Sequence, residues 1–372
     1  MMKNNNVELV IGEVTQADWE SYEIDSDLLT PADAWRVTMG FSGDKKIPKC
    51  VELGAGVKVK VGGETVLVGY LDTIEHSVSK TQHTLSLSGR DMASDLLDCS
   101  CPLFDRQMVS LTEIIIIITR EFNIKRHRVD ADPSLVRKKI HVNPGESAWS
   151  VLSDAAEANG LFPWFESDGT LVVGGPDYSA PVVASLILRR SGKGNNVLSL
   201  NYSGDMQGKY SKITVLGQSH GDFINTGKND YHGEAVDVGV IRHRPKIINE
   251  GGCENSAICR NRARKLIADG RLHGLTLSVC VVGHHIVAPG QPSDGILWRA
   301  GQRVHVVSDP HNIDAVFFVM ARKFTRSRFD GTRTTLTLKE DGVWCLDAHL
   351  NKNRNAHTKN TGAGQIIDVA KI

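Results

Sequence analysis

The chain has 372 residues, 41% of them apolar, enough to bury the cores of two or three domains. Lysine plus arginine and aspartate plus glutamate number 43 each, so no global field draws it to nucleic acid or to an anionic membrane. The longest apolar run, Ile114 to Ile118, is far short of the roughly 20 residues of a membrane span, and the asparagine-rich start, Met1 to Val10, lacks the apolar stretch of a signal peptide. Seven cysteines, an odd number without framework spacing, read as reduced thiols in a cytoplasmically made protein.

Val7 to Phe41 reads as β structure. Trp19, Tyr22 and Ile24 fall in a strand ending at Asp25-Ser26-Asp27, and Ala34 to Met39 alternates after the Thr30-Pro31 turn. Gly54 to Asp91 is a meander, with strands at Val57–Val61, Val66–Leu71 and Thr84–Leu87, and Asp91 to Asp98 is a short connector. Ser110-Leu111-Thr112-Glu113 fits a capping box that opens a helix ending near Phe122. Its isoleucines cost helix propensity, so burial on more than one side must hold it.

A strand at Lys139–Val142, a Pro144-Gly145 turn and a helix from Glu146 to Ala158 follow, the helix stopped by Asn159-Gly160. Phe162–Glu166 and Thr170–Val173 form a hairpin about Ser167-Asp168-Gly169. Together they make a compact α/β unit. Strands at Val197–Tyr202 and Tyr210–Val215 come next, then a polar loop or hairpin from Gly217 to Gly239. A third helix is predicted from Glu254 to Asp269, stopped by Gly270, before a strand at Leu275–Val282. Beyond Leu346 the composition predicts a mobile tail.

The Gly54–Asp91 meander recurs from Arg299 to Asp341: Ala55-Gly56 matches Ala300-Gly301, Val66–Leu71 matches Ala315–Met320, and Thr84–Leu87 matches Thr335–Leu338. Val197–Tyr202 and Tyr210–Val215 echo the two strands near the start. The fold class read from this is β-rich α+β, with two similar antiparallel β-barrels and a helix-containing α/β domain. The expected boundaries are 1–98 for the first barrel, 99–178 and 245–290 for the α/β domain, 179–244 and 291–350 for the second barrel, and 351–372 for the tail.

Chemistry is thin. His284 and His285 are adjacent, so on a strand they face opposite ways and cannot chelate one ion together. Cys99 and Cys101 have no nearby histidine or second pair. No metal, cofactor or catalytic motif is present, so no catalytic, cofactor-binding or metal residue is expected. Glu146, Glu157, Glu166 and Asp168 gather in the α/β unit and raise a cell-wall hydrolase or peptidoglycan-binding tail protein as the alternative, although most of them occupy ordinary positions for acids, at a helix start, a solvated helix face and a hairpin tip. Arg260, Arg262, Arg264, Lys265 and Arg271 make the third helix basic. No aromatics interleave them to stack bases, which favours a solvated face.

The order of motifs resembles the baseplate hub (tail) proteins of Mu-like contractile phages, relatives of the central hub protein of T-even phages. The resemblance rests on Val68-Gly69-Tyr70-Leu71-Asp72, Gly89-Arg90-Asp91 with Ala93 to Cys99, Pro144-Gly145-Glu146-Ser147, Tyr210 to Gly217, Arg242-His243-Arg244-Pro245 and Leu336-Thr337-Leu338. It implies a structural virion protein without enzymatic activity: a homotrimer whose two barrels per subunit form a pseudo-sixfold ring. That ring would join a sixfold tail tube to a threefold spike, contact other baseplate proteins, and surround a channel for phage DNA without specific binding. It would be assembled in the bacterial cytoplasm and would not insert into a membrane.

Overall fold

The computed structural model describes residues 4–40, 47–130, 136–157, 161–218, 231–250, 253, 255–344 and 366–368. In its first part, β1 (Val7–Ile11), β2 (Val14–Gln16), β3 (Ser21–Asp27), β4 (Ala34–Gly40), β5 (Gly56–Val61), β6 (Glu64–Tyr70), β7 (Thr73–Val78) and β8 (His83–Arg90) follow one another. Period-2 alternation sets their faces: Val7, Leu9 and Ile11 point inward from β1, and Val57, Val59 and Val61 from β5. β2, β1, β5 and β6 make one four-stranded sheet, and β3, β4, β8 and β7 lie side by side in a larger one.

The α/β unit follows as α1 (Ala93–Asp98), β9 (Asp105–Ser110), α2 (Leu111–Glu121), β10 (Arg126–Val129), β11 (Val136–His141), α3 (Ala148–Glu157), β12 (Phe162–Phe165) and β13 (Leu171–Gly174). The capping box forms: Ser110 Oγ accepts from the Glu113 amide, and the Glu113 carboxylate accepts from the Ser110 amide. Ile114, Ile115 and Ile118 are buried with Leu152, Ala155 and Leu171 in a core of their own. That enclosure holds a β-branched run as a helix.

The remaining part contains β14 (Val182–Leu188), β15 (Ser199–Gly204), β16 (Lys212–Gly217), β17 (Tyr231–Val236), β18 (Pro245–Asn249), α4 (Ser256–Gly274), β19 (Leu275–Val282), β20 (Arg303–Ser308), β21 (Ile313–Ser327) and β22 (Gly331–Glu340). β14 pairs β20 and β20 pairs β21, all in the sheet that runs β15-β19-β22-β21-β3-β4-β8-β7. One hydrophobic core spans both halves, from Val7 and Trp35 to Phe324 and Leu338.

Several expectations change here. The described sheets do not close into two barrels; the halves fuse through β21, which pairs β20, β22 and β3. Tyr210–Val215 is not the second strand of the repeat. β16 sits in a separate three-stranded sheet with β17 and β18, while the strand beside β15 is β19. Alternation gives a strand its faces but not its partner, so any amphipathic strand fits that slot in the sequence. Residues 245–290 do not return to the α/β unit: Cys259 and Ala263 of α4 pack on Ile213 and Val215 of β16, and β19 belongs to the large sheet. The second half is therefore interrupted between Gly204 and Leu275.

Gly270 does not stop α4, which continues to Gly274. A Cβ at Gly270 would stand 2.5 Å from the Gly208 carbonyl oxygen, so the glycine allows a close approach in mid-helix. The Gly217–Gly239 segment supplies β17, hairpin partner of β16; residues 219–230 lie outside the described ones. The expected mobile tail also lies outside them, save Ile366–Asp368, which forms β23 and pairs β10.

β6 crosses β8 with almost no space between backbones. A Cβ on Gly89 would lie 1.9 Å from the Tyr70 carbonyl oxygen, whereas one on Gly56 would meet nothing within 4 Å. Gly89→Ala is expected to cost about 1–3 kcal/mol in urea unfolding by forcing the strands apart. Gly56→Ala should stay within about 0.5 kcal/mol.

Candidate functional site

The two halves repeat one pairing order. In the first, Tyr22 pairs Val37, Val37 pairs Leu87 and Leu87 pairs Ile74. In the second, Leu200 pairs Val279, Val279 pairs Leu336 and Leu336 pairs Arg322. β3 thus corresponds to β15, β4 to β19, β8 to β22, and β7 to the second half of β21. Inside the chain, β21 joins β3, with Arg322 opposite Ser26, Phe324 opposite Ile24 and Arg326 opposite Tyr22. Among the described residues their counterparts, β7 and β15, are the ends of the eight-strand path, from which β20 and β14 branch at β21.

The internal joint is rich in polar contacts. Arg322, 4% exposed, donates to the carbonyl oxygens of Ile24 (3.1 Å) and Val66 (3.3 Å), and its guanidinium lies 4.1 Å from the Phe324 ring centre. Lys323 pairs with Glu23 at 2.6 Å. The Tyr22 hydroxyl lies 2.8 Å from His284 Nε2, Thr334 Oγ1 lies 3.0 Å from His284 Nδ1, and Asn5 Oδ1 accepts from the His284 amide. Burial holds His284 down to about 3, so it is neutral, and pushes Tyr22 up to about 12.

Two carboxyl groups, those of Asp33 and Asp25, act on Arg322, and Asp91 neighbours both of them. Asp33 Oδ1 accepts from the Asp27 amide, Asp25 Oδ1 from the Ala34 amide and Asp91 Oδ1 from the Ala93 amide. Burial pushes Asp33 up to about 7, against the pull of Arg322. Burial and the charge of Asp33 also raise Asp91 well above the usual carboxylate range. Arg322 is lowered to about 10 by burial, with Asp33 and Asp25 opposing, and stays charged at neutral pH.

The sequence-predicted residues stand apart from this joint, with one exception. His284, expected to chelate nothing with its neighbour, is a buried hydrogen-bonding centre of the joint, while His285 Nδ1 lies 2.9 Å from Asn5 Oδ1. Glu146 accepts from the Asn143 amide and side chain, Glu166 pairs with Arg128, Asp168 with Arg126, and Glu157 is exposed at the end of α3. Each of the first three acids has its own local partner. On α4, Arg262 pairs with Glu250, Lys265 with Asp269 and Arg271 with Asp237. Cys99 is exposed and Cys101 buried, both as free thiols. Arg322, Asp33 and Asp25 were not singled out by their types; the signal was an arginine at an inward position of an alternating strand.

Family models match the chain in four consecutive pieces. Residues 6–91 match the N-terminal domain of the Mu phage baseplate assembly protein GpP-like family, and 93–175 the second domain of the baseplate hub protein gp44-like family. Residues 209–267 match the third domain of the tail protein NMB1110-like family, and 269–343 a tail protein C-terminal domain. The tail protein from Neisseria meningitidis MC58 is 38% identical, with a TM-score of 0.80 over 93% of this chain and 99% of that one. The chain belongs to the baseplate hub family of Mu-like phages.

Within this family, baseplate hub protein gp44 of Escherichia phage Mu is 25% identical over 85% of this chain and 83% of its own length. The 43 kDa tail protein of prophage MuSo2 from Shewanella oneidensis shares the fold, with a TM-score of 0.79 at 22% identity over 91% of this chain and 99% of that one. The hub family's third piece, 209–267, coincides with the β16–β18 sheet and α4, which sets that unit apart from the α/β unit. This chain is a structural component of a phage tail baseplate.

The raised Asp33 gives a pH test. Between about pH 4 and 7 the folded state keeps a proton that the unfolded chain has lost, so its contribution to stability falls as pH rises through that window. Asp33→Asn can still accept from the Asp27 amide and removes the charge that Asp33 sets against Asp91. Its Tm relative to the unaltered chain is expected to be higher at pH 7 than at pH 4. A constant difference in melting scans across that range would refute the assignment.

Proposed function

We propose that three copies of the chain close into a ring, with β7 of each copy paired to β15 of the next. Each copy then contributes two similar β units, so a threefold assembly presents six near-equivalent surfaces. That arrangement suits a hub joining a sixfold tail tube to a threefold spike, with phage DNA passing through the middle. The α/β unit, attached between the halves, would lie outside the ring and meet the spike or neighbouring baseplate proteins. Balanced net charge suits a conduit that must not hold its cargo.

The observation that carries this reading is the pair of open sheet ends. Among the described residues, β7 and β15 end the eight-strand path of the sheet, and both expose large apolar groups: Val78 at 66% and Tyr202 at 52%, with Leu198 at 51% just before β15. Unpaired edges of this kind template pairing with another chain unless they are covered. The internal β21–β3 joint supplies a register for that pairing. Transferred to the ends, it sets His76 opposite Tyr202, Glu75 opposite Ser203 and Val78 opposite Leu200. The barrels expected from the repeat would be completed by neighbours in this ring, each open edge meeting the next.

The register is testable by cross-linking. Glu75→Cys combined with Ser203→Cys is expected to give reducible dimer and trimer bands under mild oxidation, because directly opposed positions have Cβ atoms about 5 Å apart. Each single variant controls for the native thiols. A double variant that behaves like the singles would contradict the pairing.

A further inference from the structure

Among the described residues no three histidine, cysteine or acidic side chains gather to hold a metal within one chain. Two histidines nevertheless converge on the β7–β8 hairpin. His76 Nε2 lies 2.8 Å from His83 Nε2, with the rings stacked at 4.7 Å and 19°. An exposed stacked pair sharing one hydrogen bond accounts for the contact, but not for its place. His76 occupies the position that Phe324 fills in the internal joint, where Phe324 is wholly buried opposite Ile24.

The other end of the sheet carries the complement. Tyr202 holds the Ile24 position on β15, and the His311 ring stacks beside it at 6.5 Å and 26°. His311 Nδ1 lies 2.8 Å from Ser308 Oγ, which orients the ring and leaves Nε2 as the ligating nitrogen. The internal joint is held by charge, through Arg322 and the Lys323–Glu23 pair. At the corresponding places the open ends carry Ile74 and Glu75 on β7, and Asn201 on β15, so no such ion pair can form between them. His76 stands next along β7 from these positions, at the Phe324 place.

We propose that ring closure brings His311 of one copy to the His76–His83 pair of the next, and that the three imidazoles hold a divalent transition metal at each subunit joint. This rests on the ring reading above. Tetrahedral imidazole coordination at about 2.0–2.1 Å needs nitrogens about 3.3 Å apart, so the Nε2 atoms of His76 and His83 need part by only about half an ångström. A two-histidine chelate is incomplete by itself; the third ligand arrives only with the neighbour. Metal binding and ring closure therefore strengthen one another.

Cobalt(II) tests this on the full chain after EDTA treatment and dialysis. Titration is expected to give intense visible bands of tetrahedral Co2+ saturating at one ion per chain in the trimer, and to slow trimer dissociation on dilution. His76→Ala, His83→Ala and His311→Ala should each abolish the bands while the fold, followed by circular dichroism, is kept. Light scattering on the same samples separates the two ideas. Trimers without these bands, or with bands that survive His76→Ala, overturn the metal site and leave the ring standing. Bands that survive only His311→Ala overturn completion across the joint. Monomers at every concentration overturn both.

Discussion

Burying a guanidinium inside a β-sheet core is expensive unless its donors and its charge are both answered, and Arg322 has both. Its donors reach backbone carbonyls on β3 and β6, its face lies on Phe324, and the charges of Asp33 and Asp25 favour its charged form. The cost is met only when β21 from one half lies against β3 and β6 from the other. The interaction therefore works as a register lock: a slip of one residue on β21 would turn Arg322 outward and leave the Ile24 and Val66 carbonyl oxygens without its donors. The hydrogen bond between Tyr22 and His284 ties the same two halves from the opposite end of the joint.

Fusing the halves in this way has a geometric consequence. One joint is satisfied inside the chain, and its two counterparts, β7 and β15, are left at opposite ends of a continuous sheet. Edge strands that a monomer must protect are usually short, charged or covered. Here they carry Val78 and Tyr202 in the open. A chain that uses the joint once internally and offers its counterparts at either end suits the head-to-tail closure proposed above, in which the repeat along the sequence would become a repeat around an axis.

Much of this was legible in the sequence. The two meanders, the capping box at Ser110, the α3 helix and the hairpin about Asp168 follow from local periodicity and turn chemistry, which depend on near neighbours. The family was also legible, through the order of its motifs. Partner choice was not. Lys212–Gly217 alternates as well as Leu275–Val282 does, and only the sheet shows that β19 takes the place beside β15 while β16 lies under α4. Gly270 looked like a helix stop because a glycine's conformational freedom is visible in sequence, whereas the nearness of the Gly208 carbonyl is not. Arg322 was hidden for a similar reason, since its partners lie some three hundred residues away on β3 and its flanking turn.

The central claim is that two fused halves per chain become six around an axis. Electron-microscope averages of the purified protein viewed down that axis test it most directly. The account predicts a threefold particle with six lobes around an open centre, built from three 40.7 kDa chains. Particles of single-chain size, or a compact assembly with no central opening, would contradict it.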